Sequence, residues 1–349
     1  MAYTAIDDSG LFMNPVLYTG TGSSLAITGV GFQPDFTWIK GRSFTDDHVL
    51  TDAVRGVTKT LYSNEVNAEE TQTGGLTAFG ADGFTVGSMA EVNTSSATLV
   101  SWNWKAGTTT GITTDGSTTI TPSSYSFNQT PGFSCIAYTG NGTSGAKVAH
   151  GLGAALKMII VKRLNSVSQW TVYTSALGAT KYMVLDTTTD LNDEVWAWND
   201  TEPDSVNFTL GDSDYVNNNT STYIAYCFAD VAGYSKVGGS YTGNGLADGT
   251  FVYTGFKPAF VMIKRTDAGG HNWQIHDNKR SSSGGGNLVN SRLLPNVPNV
   301  EYTDTIGGDF LSNGFKLRTD NASYNDSGGT YIYMAFAEAP FVNSNGVPC

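Results

Sequence analysis

The amino-acid sequence predicts an all-β protein made of three tandem antiparallel β-sandwich modules of jelly-roll or lectin-like type. Three observations predict this fold class: a five-residue motif that occurs three times, strand-like apolar runs that follow each copy, and the near absence of helical periodicity. The 41 glycines also disfavour long helices, because each glycine costs about 1 kcal/mol in a helix interior.

The five-residue motif marks the start of each repeat. YTGTG begins at Tyr18, and YTGNG begins at Tyr138 and again at Tyr241. The copies therefore start 120 and 103 residues apart, a spacing typical of compact sandwiches and longer than that of solenoid repeats. Each copy continues through a turn into an apolar strand that ends in an equivalent lysine: Lys40, Lys162 and Lys264.

The last third of each copy is shared as well. DGFTVG, VNFTLG and NGFKLR place a phenylalanine in a short strand after a turn, and TLVSWNW, TYIAYCF and TYIYMAF are typical of core strands. A Thr/Ser/Gly-rich stretch separates the first two copies. We therefore predict one β-sandwich module over residues 1–107, a linker or hairpin insertion over 108–132, and further modules over 133–233 and 234–349.

Composition and charge narrow the range of partners. The chain of 349 residues carries 19 basic and 31 acidic side chains, a net charge of −12. This charge repels phosphate backbones and anionic lipid, so nucleic acid is not an expected partner. No apolar stretch is long enough to span a membrane, and the first residues lack the pattern of a secretory signal. We expect no membrane insertion and synthesis in a cytoplasm.

Catalytic and metal-binding signatures are weak. The sequence contains four histidines: His48, His150, His271 and His276. None occupies the same position in all three copies, and no motif places a nucleophile beside a base. We therefore predict a non-enzymatic protein without catalytic residues, metal site or cofactor.

The three cysteines form no paired framework. Cys135 and Cys227 lie in apolar strand-like runs, and Cys349 is the last residue. A bridge between Cys135 and Cys227 stays open as an alternative to two buried thiols, because both would lie on the first and last strands of one module.

Paired carboxylates and paired tryptophans allow two further interpretations. Glycoside cleavage needs two carboxyl groups about 5 to 9 Å apart, and adjacent pairs occur at Asp46-Asp47, Glu69-Glu70 and Asp193-Glu194. Such neighbours are far more often a solvated surface.

The segment Trp196-Ala197-Trp198-Asn199-Asp200 has the composition of a sugar-stacking platform, and strand alternation would put both indoles on one face. Trp196, Trp198, Asn199 and Asp200 are therefore candidate contacts to a glycan or protein partner. Packing in a core or an interface is the alternative that we favour.

The first copy carries a distinctive series of segments. GFQPDFTWIKGR, DHVLTDAVRG, LYSNEVNAE, LTAFGADGFTVG and LVSWNWKAG follow one another within residues 31–107. This series resembles repeat-containing structural proteins of tailed bacteriophages of aquatic hosts, which are tail-fibre-like or head-decoration proteins. The second and third copies keep YTGNG and the lysine-ended strand but lose the Arg-Gly turn and the W-x-W-K-A-G ending. For them the resemblance is architectural.

The resemblance implies a virion component, either a tail-fibre or adhesin element or a capsid decoration, and it brings no catalytic residue. It also implies partners: other virion proteins and copies of the chain itself, as a trimer or hexamer. Two alternatives remain, a carbohydrate-binding adhesin that recognises a host surface glycan and a glycan-degrading enzyme.

Overall fold

β-Strands dominate the fold, which we describe from a computed structural model for residues 3–281, 287–303 and 307–349. The chain is nearly all β, in several antiparallel sheets, which confirms the predicted class at this level. The helices of the described residues are single turns: α1 (Ala90–Asn93), α2 (Val195–Trp198) and a 3-10 turn at Ser9–Leu11.

The strands fall into three sets that follow the sequence repeats. The first set is β1 (Met13–Thr19), β2 (Leu25–Ile27), β3 (Phe36–Gly41), β4 (Val49–Asp52), β5 (Lys59–Tyr62), β6 (Glu70–Thr71), β7 (Leu76–Gly80), β8 (Gly83–Val86) and β9 (Thr98–Trp104). The second set is β10 (Ser124–Asn128), β11 (Phe133–Thr139), β12 (Ala146–Ala149), β13 (Met158–Arg163), β14 (Thr171–Thr174), β15 (Lys181–Val184), β16 (Asn192–Asp193), β17 (Asn207–Leu210) and β18 (Thr222–Phe228). The third set is β19 (Ser235–Thr242), β20 (Phe251–Tyr253), β21 (Phe256–Arg265), β22 (Gln274–Asp277), β23 (Leu288–Val289), β24 (Gly308–Leu311), β25 (Gly314–Leu317) and β26 (Thr330–Pro340).

Each set forms one large sheet and one small sheet. The large sheets have the orders β1-β9-β3-β4-β5-β6, β10-β11-β18-β13-β14-β15-β16 and β19-β26-β21-β22. The small sheets are β2-β8-β7, β12-β17 and β20-β25-β24-β23. The orders β1-β9-β3-β4, β11-β18-β13-β14 and β19-β26-β21-β22 are the same arrangement three times, so the sequence repeat is also a structural repeat. The Thr/Ser-rich stretch between the first two copies contributes β10, which pairs with β11.

Both faces of each large sheet are buried, because side chains alternate between an outer and an inner cluster. In β3, Ile39 belongs to a cluster within the first repeat, whereas Phe36 and Trp38 belong to a cluster that all three repeats share. The second and third repeats likewise have their own outer clusters. The shared cluster is the centre of the molecule, and the three large sheets surround it.

Equivalent aromatic rings meet in this central core. Trp104, Phe228 and Phe336 close the last strand of the three large sheets, and the Phe336 ring centroid lies 5.8 Å from that of Trp104 and 6.0 Å from that of Phe228. The ring of Phe36 stacks on Tyr226 of the second repeat at 4.2 Å. Aromatic contacts of this kind are favourable beyond the apolar area they bury.

Backbone hydrogen bonds tie each repeat to the next in the same way. The donor and acceptor pairs are Glu69–Leu164 and Ser168–Val66, then Leu191–Thr266 and Gly270–Thr188, and finally Glu301–Arg42 and Asp46–Pro298. The third repeat therefore bonds to the first as the first bonds to the second, and the three repeats form a closed ring.

Buried ion pairs reinforce two of the three contacts between repeats. Asp52 binds Arg55 at 2.5 Å and accepts a hydrogen bond from the Tyr226 hydroxyl at 2.8 Å. Asp277 binds Arg280 at 2.5 Å and accepts one from Trp102 Nε1 at 2.8 Å.

The third contact between repeats lacks this pair. Thr174 and Leu177 stand in place of the aspartate and arginine, and the position equivalent to Tyr226 and Trp102 is Met334, which has no N–H or O–H donor. A carboxylate buried without a donor would be costly, so the exchange is physically consistent.

A buried asparagine explains the Tyr-Thr-Gly motif. Asn217 Oδ1 accepts from the Asn141 N–H at 2.9 Å, while its Nδ2 donates to the carbonyls of Thr143 at 2.9 Å and Gly211 at 2.8 Å. A Cβ at Gly140 would collide with the carbonyl of the residue after Asn217. The same arrangement recurs in the other repeats around Asn93 and Asn325. The motif is thus a turn held by one side chain.

The cysteines answer the alternative left open by the sequence. Cys135 belongs to the central core and Cys227 to the outer cluster of the second repeat, so the two thiols lie on opposite faces of one sheet. Both are buried and free, and no bridge joins them. Burial raises the pKa of both thiols.

Candidate functional site

The segment predicted as a sugar-stacking strand is a single helical turn. Val195–Trp198 forms α2, and Asn199 ends it in the left-handed conformation with φ of 51°. Successive side chains wind around a helix instead of alternating, so the strand prediction for Trp196 and Trp198 was wrong. The sequence alternation W-A-W fits both structures locally, and packing against β17 of the small sheet favours the helix.

The two indoles differ in exposure. Trp198 is 1% exposed, packs edge-on against Tyr173 at 5.8 Å, and therefore offers no face to a sugar. Trp196 is half-buried between Tyr182 and Tyr215, with ring centroids 4.7 and 5.7 Å away. Packing therefore accounts for Trp198.

The polar pair of the segment lies nearer the surface. Asn199 Oδ1 accepts a hydrogen bond from the Ser144 hydroxyl at 2.8 Å. Asp200 is exposed and, like Asn199, has a positive φ. The structure thus brings Trp196, Asn199 and Asp200 to the surface but not Trp198.

The histidines are mostly buried structural groups. Burial lowers the pKa of His150 to about 4 and that of His276 to about 3, and it also lowers the pKa of His48. His48 Nδ1 accepts from Trp38 Nε1 at 3.1 Å. Within the described ranges, no group of three or more His, Cys, Asp or Glu side chains could hold a metal ion.

The adjacent carboxylates are bound to their neighbours. Glu69 contacts Arg55 and Lys59, both at 3.3 Å. Asp47 accepts from the Asn64 amide at 2.6 Å, and Asp193 lies 3.5 Å from Lys181. These contacts explain the side chains without a substrate.

The three equivalent lysines are buried as well, and burial lowers the pKa of each to about 8. Each ammonium group donates to a backbone carbonyl: Lys40 to Gly41, Lys162 to Ser168, and Lys264 to His271. These lysines therefore hold loops at the contacts between repeats.

A groove that the sequence did not reveal lies on the third repeat. It has a volume of about 540 Å³ and is lined by Tyr3, Asp230, Ala232, Gly233, Ser235, Lys236, Tyr253, Thr254 and Gly255. The Tyr3 hydroxyl lies 3.2 Å from that of Tyr253 and donates to the Gly255 carbonyl at 3.0 Å. Lys236 Nζ lies 2.6 Å from Asp230 Oδ2.

The walls of this groove come from distant parts of the chain, which is why no motif marked it. One sequence signal was present. Aligned on the buried phenylalanine of each small sheet, Phe251 and Tyr253 take the places of Ala26 and Thr28 in the first repeat. In the second repeat the same places hold Lys147 and Ala149.

The fold and its surface define a repeat-built, antiparallel β protein whose three copies enclose a common core. No helix of the described part of the chain is long and apolar enough to cross a membrane. The family model described as "Domain of unknown function (DUF7483)" matches residues 8–340, so the chain belongs to the DUF7483 family. Comparison with curated proteins and with solved structures gave no match.

Proposed function

We propose that this chain is a non-enzymatic structural protein of a tailed bacteriophage, exposed on the virion as a tail-fibre or adhesin element or as a capsid decoration. In this proposal its three repeats are β-sandwich modules of jelly-roll or lectin-like type. The resemblance of residues 31–107 to repeat-containing structural proteins of such phages supports the proposal.

The observation that carries the proposal is the closed ring of repeats. The inner face of every large sheet is spent on a shared core, and the histidines and lysines most typical of active sites are buried and bonded within the fold. Such a molecule presents its outer sheets and loops to partners, as a structural part does. The paired carboxylates are bound locally, so we do not propose glycan cleavage.

The proposed partners are other virion proteins and copies of the chain itself. Because the inner faces already cover one another, a trimer or hexamer must form through the small sheets, the loops or the sheet edges. The net charge of −12 disfavours nucleic acid as a partner.

A carbohydrate-binding adhesin is the second candidate function. The groove between Tyr3 and Tyr253 favours it, because this groove places aromatic rings beside hydrogen-bonding groups at the surface. The segment from Trp196 to Asp200 supports it less, since Trp198 is buried.

The test is made on particles. Tailed particles purified from cells that express the gene should contain the chain in their protein inventory, and antibodies against the folded chain should label intact particles in electron micrographs. A chain found only in the particle-free fraction, with no labelling, would contradict the proposed virion role.

A further inference from the structure

We infer that the groove between Tyr3 and Tyr253 is a binding site for a neutral saccharide. The inference goes beyond the virion role and does not depend on it, because it rests on the shape, rings and charges of the groove alone.

The internal repeat shows that the aromatic wall is not needed for folding. Phe251 and Tyr253 are 41% and 58% exposed on the edge strand β20. The equivalent residues of the first repeat are Ala26 and Thr28, and the same small sheet forms there without rings. Two large exposed rings on one short strand therefore point to contact with something outside the chain.

The groove has the size and lining of a small-molecule site. Its volume of about 540 Å³ lies within the range of about 300 to 1,000 Å³ that is usual for ligand sites. Gly233 and Gly255 both have positive φ, and side chains there would press on Thr4 and on the Tyr3 hydroxyl. Glycine thus keeps this part of the lining open.

The polar groups suit hydroxyl groups of a ligand. Asp230 Oδ1 accepts from the Val237 N–H at 2.7 Å, and its Oδ2 accepts from Lys236 at 2.6 Å. Each carboxylate oxygen can accept a second bond, so Asp230 keeps capacity for sugar hydroxyls. The ring of Tyr253 gives the apolar C–H face of a pyranose a surface on which to stack.

The charges of the groove favour a neutral ligand. Asp230 and Lys236 are the charged side chains of the lining, and they neutralise each other as an ion pair. An anionic or cationic sugar would have to compete with that pair, whereas a neutral sugar adds hydrogen bonds to it.

The experiment uses the full chain without an N-terminal tag, because Tyr3 lies near the start. Saturation-transfer NMR would be recorded with cellobiose, maltose, lactose and N,N′-diacetylchitobiose, and with glucosamine and glucose 6-phosphate as charged controls. Tyr253→Ala removes the stacking ring, Tyr253→Phe keeps it, and Phe251→Ala removes an exposed ring of the same strand outside the groove. Circular dichroism would confirm that every variant folds.

We expect at least one neutral disaccharide to receive saturation from the unmodified chain and from Phe251→Ala. Tyr253→Ala should bind that sugar roughly tenfold more weakly, the loss expected for about 1.4 kcal/mol, whereas Tyr253→Phe should keep most of the affinity. Absence of transfer to every neutral sugar, undiminished binding by Tyr253→Ala, or preference for a charged sugar would overturn the inference. Labelling of particles by antibody would be unaffected, so the virion role can fail or stand separately.

Discussion

Asn217 holds the turn of the second repeat with three buried hydrogen bonds, and its replacement by alanine should be costly. The change Asn217→Ala removes one acceptor and two donors at 2.8 to 2.9 Å and leaves the Asn141 N–H and two carbonyls without those partners. At about 1 kcal/mol for each net hydrogen bond, the free energy of unfolding should fall by about 3 kcal/mol.

Urea unfolding, followed by tryptophan fluorescence, would measure this loss as a lower midpoint at an unchanged slope. Asn219→Ala is the matched control, because Asn219 is exposed in the same loop, and its free energy of unfolding should stay within about 0.5 kcal/mol of the unmodified chain. Equal stability of Asn217→Ala and Asn219→Ala would refute the idea that the asparagine holds the motif. Asn325→Ala should lose at least as much as Asn217→Ala, since its side chain makes the corresponding bonds.

Three further changes test other parts of the fold. Gly140→Ala drives a Cβ into a backbone carbonyl, so urea unfolding should show a clear loss of stability, whereas Gly116→Ala, which faces open space, should not. Asp277→Asn leaves a buried guanidinium with less compensation and should cost about 3 to 5 kcal/mol in the same assay, against at most about 1 kcal/mol for Glu338→Gln in an exposed pair. The pKa of His276 is about 3 in the fold and about 6.5 unfolded, so the unfolded chain binds the extra proton below pH 6.5. Its contribution to stability is therefore present above pH 6.5 and falls by about 2 kcal/mol between pH 7 and pH 5; an equally steep pH dependence in His276→Gln would contradict this assignment.

The repeats and their strands could be predicted because local chemistry determines them. The Tyr-Thr-Gly turn, the alternation of the closing strands and the phenylalanine after each hairpin recur in sequence, and each corresponds to the same element in the structure. The equivalent lysines were recognised as well, although their burial at the contacts between repeats was not.

The common core was not predicted, although one signal for it exists. A sandwich sheet with one wet face shows strict alternation, whereas strands buried on both faces are almost continuously apolar. Met158–Arg163 and Phe256–Arg265 are of the second kind, and nearly all of their residues are buried. Which surface covers the second face depends on contacts between residues far apart in sequence, and these carry no local pattern.

The candidate site was predicted less well for the same reason. The helical turn at Trp196 and Trp198 depends on packing against a small sheet of only two strands. The groove of Tyr3 and Tyr253 joins residues 250 positions apart. Comparison of the repeats with one another would have drawn attention to Tyr253, because its equivalents are small.

The central claim is that three repeats share one core and form a single cooperative unit. Differential scanning calorimetry of the full chain tests it most directly, by comparing the calorimetric enthalpy with the van't Hoff enthalpy. For 349 residues the calorimetric value near 60 °C should be roughly 240 kcal/mol. We predict one transition with a van't Hoff enthalpy close to that value; a van't Hoff enthalpy near one third of it, or three separate transitions, would show that the repeats are independent modules.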